Sequence, residues 1–334
     1  MSAELLTAIW AGLLAFAVMA YVVMDGFDLG IGLLFSRFPS GPQRDTTMNS
    51  IAPVWDGNET WLVLGGGGLL AAFPLAYAII LPAAYAPTIA MLLGLVLRGV
   101  AFEFRWRDPG HRPRWDIAFS VGSLFAALGQ GITLGTILQG IRIDGRSYAG
   151  GNWDWLTPFT LLAGVSVCIG YALLGASWLI WKTDGDVQQR ARSLARRLSP
   201  AMIVAIALVS VASLLLDNQY SRRWFAWPNV LFVAQVPLLV TITAVLLWRS
   251  LRRKHELAPF LYSLALFGLS FAGLAISMWP DVVPGHLSIW QAAAPPESQM
   301  FMLVGTAVLI PLILAYTTWS YWVFRGKVGS GGYH

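Results

Sequence analysis

Apolar runs of about twenty residues recur along this 334-residue chain, and they constrain its fold more than any motif does. The segments between them are short and carry helix-ending residues, as in Pro39-Ser40-Gly41-Pro42, Asp108-Pro109-Gly110 and Pro280-Asp281. Charged residues make up 12% of the chain, against about 25% in a soluble domain. In hydrocarbon every backbone N–H and C=O must be satisfied internally, which leaves helices or closed barrels. Barrel strands would alternate apolar and polar residues, and these runs do not. The expected fold is therefore an all-α polytopic membrane protein. Nine transmembrane helices are expected near 5–35, 53–73, 76–104, 116–139, 157–181, 200–216, 228–249, 259–279 and 299–324. No connecting segment is long enough for a separate soluble domain.

The basic residues orient this bundle. If the N-terminus lies outside, the cytoplasmic segments carry Arg37 and Arg44, then Arg105, Arg107, Arg112 and Arg114. They also carry Lys182, Arg190, Arg192, Arg196 and Arg197, then Arg249, Arg252, Arg253 and Lys254, with Arg325 and Lys327 in the tail. These are 17 of the 22 Lys and Arg residues; the opposite side holds only Arg142, Arg146, Arg222 and Arg223, and Arg98 lies inside a helix. Such a bias places the N-terminus outside, the C-terminus in the cytoplasm and an odd number of spans between them. Met1–Glu4 holds no Lys or Arg, so the first run reads as a retained helix rather than a signal peptide. A short internal echo sets Ala20-Tyr21, Gly26 and Leu29 against Gly170-Tyr171, Ala176 and Leu179. It suggests two four-helix bundles, over 1–140 and 141–280, followed by one peripheral ninth helix and tail over 281–334. The formal net charge of +5 is spread over several segments, which argues against a nucleic-acid partner. Cys168, the single cysteine, lies within an apolar run and reads as a packing residue.

The chemistry sits in the charges placed inside apolar runs. Each costs about 2.5–3.5 kcal/mol at mid-bilayer on insertion scales, so each is a functional candidate. The first run carries Asp25 and Asp28, the second opens with Asp56 and Glu59, and the third carries Arg98 and Glu103. Each acidic pair has i,i+3 spacing, which puts both carboxylates on one helix face. At 1.5 Å per residue, Asp28 and Asp25 lie roughly 14 and 18 Å from Arg37, and Arg98 about 10 Å from Arg105. All six charges then fall in the cytoplasmic half of the first repeat. One reading is a proton path from the cytoplasm to mid-membrane through Asp25, Asp28, Asp56 and Glu59, with Arg98 as a fixed counter-charge. The other is a buried ion-pair network around Arg98, with Asp56 and Glu59 capping their helix. Glu103, beside Arg105 and Arg107, reads as a solvated charge.

His111, His255, His286 and His334 all fall between runs or in the tail. Haem within a bundle takes helical His, Met, Cys or Tyr ligands, so no His-ligated haem is expected here, and no metal-ligand cluster is present. Met19, Met24, Met91, Met202 and Met278 read as packing residues. Gly65-Gly66-Gly67-Gly68 lacks the strand and Lys-Ser/Thr of a phosphate loop and reads as a close helix contact. The sixteen Trp, among them Trp10, Trp61, Trp153, Trp155, Trp227 and Trp290, read mostly as an interfacial belt.

At Met24-Asp25-Gly26-Phe27-Asp28-Leu29-Gly30 and Pro53-Val54-Trp55-Asp56-Gly57-Asn58-Glu59-Thr60-Trp61 the chain resembles subunit II of the cytochrome bd quinol oxidases. The resemblance continues through Phe73-Pro74, Tyr77 and Leu97-Arg98-Gly99-Val100-Ala101-Phe102-Glu103-Phe104-Arg105, and returns at Phe324-Arg325-Gly326-Lys327-Val328. The short loops resemble the cyanide-insensitive branch. The resemblance implies a multi-pass subunit of the bacterial cytoplasmic (inner) membrane paired with a homologous subunit I. That partner would carry two b-type haems, haem d and the quinol site, oxidising quinol and reducing oxygen to water. Subunit II of this family generally binds no haem, and some members hold a structural quinone. A small single-helix accessory subunit is a further implied partner, with quinone and membrane lipid. In the family, the acids matching Asp25 and Asp56 are associated with a proton channel at the subunit interface. The competing function is a stand-alone proton-coupled transporter, which would need a mid-membrane substrate site at broken helices.

Overall fold

A computed structural model describes residues 2–216, 218–225, 227 and 229–328. His334 and the side chain of Arg223 lie outside the described residues. α1 (Ala3–Leu34) begins on Ser2, whose hydroxyl accepts from Leu5 N, and ends in a short 3-10 turn over Phe35–Arg37. Next come α2 (Pro42–Asn49), α3 (Trp55–Ala72), α4 (Pro74–Ala83), α5 (Tyr85–Arg107) and α6 (Arg112–Leu138). A hairpin of β1 (Ile143–Asp144) and β2 (Ser147–Tyr148) leads to α7 (Pro158–Lys182), which opens on a Thr157/Thr160 capping box. Then follow α8 (Gly185–Leu216), α9 (Asn218–Phe225), α10 (Asn229–Val233), α11 (Gln235–Arg252) and α12 (Ala258–Met278). A second hairpin, β3 (Asp281–Val283) and β4 (Leu287–Ser288), passes through α13 (Ile289–Ala292) to α14 (Pro296–Val323).

Seven helical segments are long and apolar enough to cross a membrane: those of α1, α5, α6, α7, α8, α12 and α14. With α3 and α11, 18 residues each, the candidate spans number seven to nine among the described residues. Several expected boundaries shift for identifiable reasons. The helix expected over 76–104 is two helices, α4 and α5, because Pro82 and Pro87 each remove a backbone donor near the break at Ala84. Pro74 biases Phe73 out of the helical region (φ −133°, ψ 60°) and ends α3. The helix expected over 200–216 starts at Gly185. Its first turns are an amphipathic extension in which Val187, Ala191 and Ala195 form a buried i,i+4 stripe among arginines. The helix expected over 228–249 restarts at Gln235, with Pro237 in its first turn.

α1 sits against α3, α6, α7, α12 and α14, while α5 packs on α6, α6 on α7, and α7 on α8 and α12. Two close approaches set the site. A Cβ on Gly175 would lie 2.6 Å from the Gly30 carbonyl carbon, so α1 and α7 touch backbone to backbone just beyond Asp28. A Cβ on Gly94 would lie 2.6 Å from Gly122 O, which draws α5 onto α6 one turn before Arg98. Around these crossings Phe27 stacks on Trp178 with ring centroids 4.2 Å apart, and Phe260 closes edge-on. A second apolar cluster lies at the other end of the bundle, where Leu6 and Trp10 of α1 meet α4 and the β3–β4 hairpin.

The glycine run is only partly a helix contact. A Cβ at Gly68 would meet Leu14 and one at Gly65 would meet Val18, but Gly66 and Gly67 face nothing within 4 Å. Trp153, Trp227 and Trp290 are exposed as a belt requires, whereas Trp10 and Trp61 are buried core residues. The Trp10 indole donates to the Gln299 carbonyl and ties α14 to α1.

Candidate functional site

The buried part of α1 runs without a break from Asp25 to Gly32, because α3, α6 and α7 close on it from three sides. Asp25 and Asp28 project from this stretch and are both 0% exposed. Arg98 on α5 reaches them from across the bundle. Its Nη1 donates to Asp25 Oδ1 at 2.7 Å, and its Nη2 donates to Glu59 Oε1 on α3. The guanidinium carbon lies 6.0 Å from the Trp55 ring centroid. One arginine thus joins α1, α3 and α5.

Asp28 is held differently, by neutral groups alone. Its Oδ2 accepts from Asn58 Nδ2 at 2.7 Å, and the same nitrogen lies 3.2 Å from Met24 O. Asn58 Oδ1 in turn accepts from the Tyr321 hydroxyl of α14 at 2.9 Å. Asp25 Oδ2, Asp28 Oδ1 and Arg98 Nε have no hydrogen-bond partner among the described residues. One turn before Asp25, the Tyr21 hydroxyl accepts from Gln130 Nε2 at 2.7 Å, and Gln130 Oε1 accepts from the Tyr171 hydroxyl at 2.6 Å. That amide bridges α1, α6 and α7 beside the acids.

The expected site residues therefore divide. Asp25, Asp28, Glu59 and Arg98 converge in one cluster, with Glu59 the more open member at 29% side-chain exposure. Asp56 is exposed in the first turn of α3 and pairs with no described cation. Glu103 is exposed and lies 3.9 Å from Arg107, as a solvated charge would. Asn58, Tyr321, Gln130, Tyr21 and Tyr171 complete the polar surroundings. Gln130, an amide in the middle of an apolar run, was visible as such; its two tyrosine partners are 41 and 109 residues away and were not.

A second charged network anchors the helix ends. Arg105, counted with the loop cations, is in fact 1% exposed and bonds Asp116 at 2.6 Å and Asp45 at 2.7 Å. Arg44 bonds the other Asp116 oxygen at 2.6 Å. These pairs pin α2 to the ends of α5 and α6. Outside the spans, Lys327 Nζ contacts Asp184 Oδ1 at 2.5 Å and Glu256 Oε1 at 3.0 Å. Those bonds, that of Asp184 first, raise the Lys327 ammonium above its usual range. The Gln188 amide and then Lys327 hold the Glu256 carboxyl below its usual range. Bonds from His111 and Trp115 do the same for Asp108.

Three carboxylates face one guanidinium in the cluster. Burying charge that is not matched is expensive, and a group of acids outnumbering its cations is able to hold an exchangeable proton. Of the histidines, His111 closes the 3-10 turn before α6 and bonds Asp108, His255 follows α11, and His286 lies in the β3–β4 hairpin.

A family model described as "Cytochrome bd terminal oxidase subunit II" matches residues 6–324. The chain is similar to the Escherichia coli (strain K12) protein named cytochrome bd-I ubiquinol oxidase subunit 2. The two are 30% identical over 364 residues, covering 97% of this chain and 96% of that one. It is 29% identical over 331 residues to the Bacillus subtilis (strain 168) cytochrome bd ubiquinol oxidase subunit 2, covering 96% of each. Its fold matches a chain in the structure of bd oxidase from Geobacillus thermodenitrificans with a TM-score of 0.78. That match has 19% identity and covers 96% of this chain and 98% of that one.

Proposed function

The chain belongs to the cytochrome bd terminal oxidase subunit II family, and from that premise we propose that it is the haem-free subunit of a quinol-oxidising, oxygen-reducing membrane complex and supplies part of its cytoplasmic proton route. The partner is a homologous subunit I. Two b-type haems and haem d, assigned to that partner, would supply the electron transfer and oxygen chemistry. This chain's own residues bind, orient and hold protons.

The observation that carries the proton role is the unequal treatment of the two buried aspartates. Arg98 pairs Asp25 with Glu59 and fixes both, whereas Asp28 has only the neutral Asn58 amide; each aspartate keeps one oxygen without a partner among the described residues. Asp28 is thus the member best placed to gain and lose a proton, with Asp25 and Glu59 held by the guanidinium beside it. Asp56, exposed in the first turn of α3, is the outermost acid of the route. The positive-inside bias orients the bundle with the N-terminus outside and the C-terminus in the cytoplasm. In that orientation the Arg44–Asp116–Arg105–Asp45 network and the Lys327 contacts lie on the cytoplasmic side, and α4 with both hairpins lies outside. The α1–α7 crossing is the seam of two four-helix repeats, with α14 outside them.

Isosteric Asp28→Asn and Asp25→Asn variants of the whole complex test this reading. The expected result is quinol-driven oxygen uptake per haem lowered at least tenfold, with normal haem content in Asp28→Asn and less complex in Asp25→Asn, which strips Arg98 of one partner. Full haem content with undiminished turnover in both variants refutes the proton role. Loss of haem-containing complex instead of turnover assigns the acids to packing. A stand-alone transporter, the competing function, has no observation in its favour.

A further inference from the structure

One cavity lies at the end of the bundle where the C-terminal segment folds back. A cavity of about 160 Å³ opens between the turn from α2 to α3, the end of α7 and residues 324–328. That is more than ten times the roughly 10–15 Å³ one water needs. Among the described residues, the charged side chains in its wall are Lys182 and Lys327, and no carboxylate lines it.

The two lysines are not equivalent. Lys327 has carboxylate partners in Asp184 and Glu256. Lys182 is 5% exposed and has no carboxylate within 4.0 Å among the described residues. Its ammonium contacts the Phe324 carbonyl at 2.5 Å and lies 5.4 and 5.3 Å from the ring centroids of Trp178 and Trp181. A buried cation lacking an opposite charge costs several kcal/mol, and a carbonyl with two indole faces offsets only part of it. Across the cavity, Asn49 is 6% exposed and its Oδ1 has no hydrogen-bond partner. Its amide can turn to present either end.

We propose that this cavity is an anion site for a phosphate group, with Lys182 as the principal cation and the Asn49 amide and Lys327 as further donors. Donors on separate walls suit a group with several acceptor oxygens rather than a monatomic ion. Two sources share that chemistry: the headgroup of an anionic phospholipid and free inorganic phosphate. The inference does not rest on the proton reading; the orientation proposed above enters only in choosing the cytoplasmic leaflet, whose anionic lipids attract such cations.

The test uses the purified two-subunit complex, stripped of lipid, with the thermal midpoint of haem release as readout. Inorganic phosphate at constant ionic strength is one arm. Vesicles of phosphatidylcholine with and without phosphatidylglycerol are the other. Wild type is expected to gain several degrees in at least one arm, and Lys182→Gln to lose that gain. A response to both arms identifies the phosphate group itself as sufficient; a response only to phosphatidylglycerol identifies the lipid headgroup. Should Lys182→Gln fail to assemble, Asn49→Asp serves in its place. Its carboxylate faces Lys182 as an internal counter-ion and is expected to abolish the response while leaving the complex assembled. Wild type insensitive to both arms, or variants responding like wild type, overturns the proposal.

Discussion

Replacing Arg98 by Gln removes the one cation that holds two carboxylates from different helices. The guanidinium is 1% exposed, its Asp25 partner is 0% exposed, and Glu59 on its other side is 29% exposed at the side chain. Removing one member of a buried pair costs about 3–5 kcal/mol, because the remaining charge stays buried without its partner. Since every 1.4 kcal/mol is tenfold, the ratio of folded to unfolded protein falls by more than about 100-fold. Changes of 1–2 kcal/mol already alter cellular abundance several-fold, so Arg98→Gln is expected to leave little haem-containing complex in membranes. The origin of the loss is checked by the double variant Arg98→Gln/Asp25→Asn, in which the fully buried stranded charge is gone and only the partly exposed Glu59 remains. Its complex is expected to recover by an interaction energy of about 2–3 kcal/mol, at the upper end for residues in contact. Arg98→Lys keeps the charge but cannot fork to two helices at once, and should fall between wild type and Arg98→Gln. The assay is haem spectra per unit membrane protein together with the thermal midpoint of the purified complex. Equal yields from wild type and Arg98→Gln, or strictly additive losses in the double variant, would refute the reasoning.

Two further outcomes follow from the same geometry. The C-terminal contact of Lys327 with Asp184 and Glu256 should hold over a bounded pH window. Glu256, held below its usual value, contributes stability above its unfolded-state pKa and loses it as pH falls through the folded value. Lys327, raised, contributes fully below its unfolded-state pKa and loses it as pH rises through the folded value. Deuterium exchange at the Val328 amide, which donates to Lys182 O at 2.8 Å, should stay slow near neutrality and rise at both extremes after correction for intrinsic rates; a flat protection profile counts against it. On α3, Gly67→Trp places bulk on a face with no neighbour in this chain. It should lower recovery of the two-subunit complex several-fold while this subunit remains in the membrane. Val204→Trp on the exposed face of α8 should not, and equal recovery from both variants would remove α3 from the interface.

The membrane class and the acids of α1 are legible in the sequence because both depend on composition within one helix. Asp25 and Asp28 interrupt an apolar run, and no local use for them exists there. Depth along a helix follows from residue counting, so their nearness to Arg98 was also within reach. The helix count blurred where Pro82, Pro87 and Pro237 broke runs that hydropathy alone joins. α8 lengthened because basic residues obscured the Val187–Ala191–Ala195 stripe. What the sequence could not show was partnership over distance. Asp116 meets Arg44 across 72 positions, and Tyr321 meets Asn58 across 263. Asp56 and Glu59 share a spacing that predicts a common face, yet only Glu59 turns inward. Its Arg98 partner lies 39 residues away and decides which acid is drawn into the cluster.

The open side of the cluster bears on why this chain works within a complex. Asp25 and Asp28 are sealed by α3, α6 and α7, but Glu59 is partly exposed and Asp56 exposed on α3. On the same helix Gly66 and Gly67 present bare backbone with nothing against it. Acids directed at hydrocarbon cost free energy that neither lipid nor a neutral side chain offsets, and an open glycine face admits close approach of another helix. A partner subunit laid on this face would cover both features at once. It would also exclude lipid from Glu59 while leaving Arg98 to hold that carboxylate in place. The proposed proton role and a subunit I interface on α3 would then have the same physical origin: acids at this position are stabilised where protein, rather than lipid, completes their surroundings.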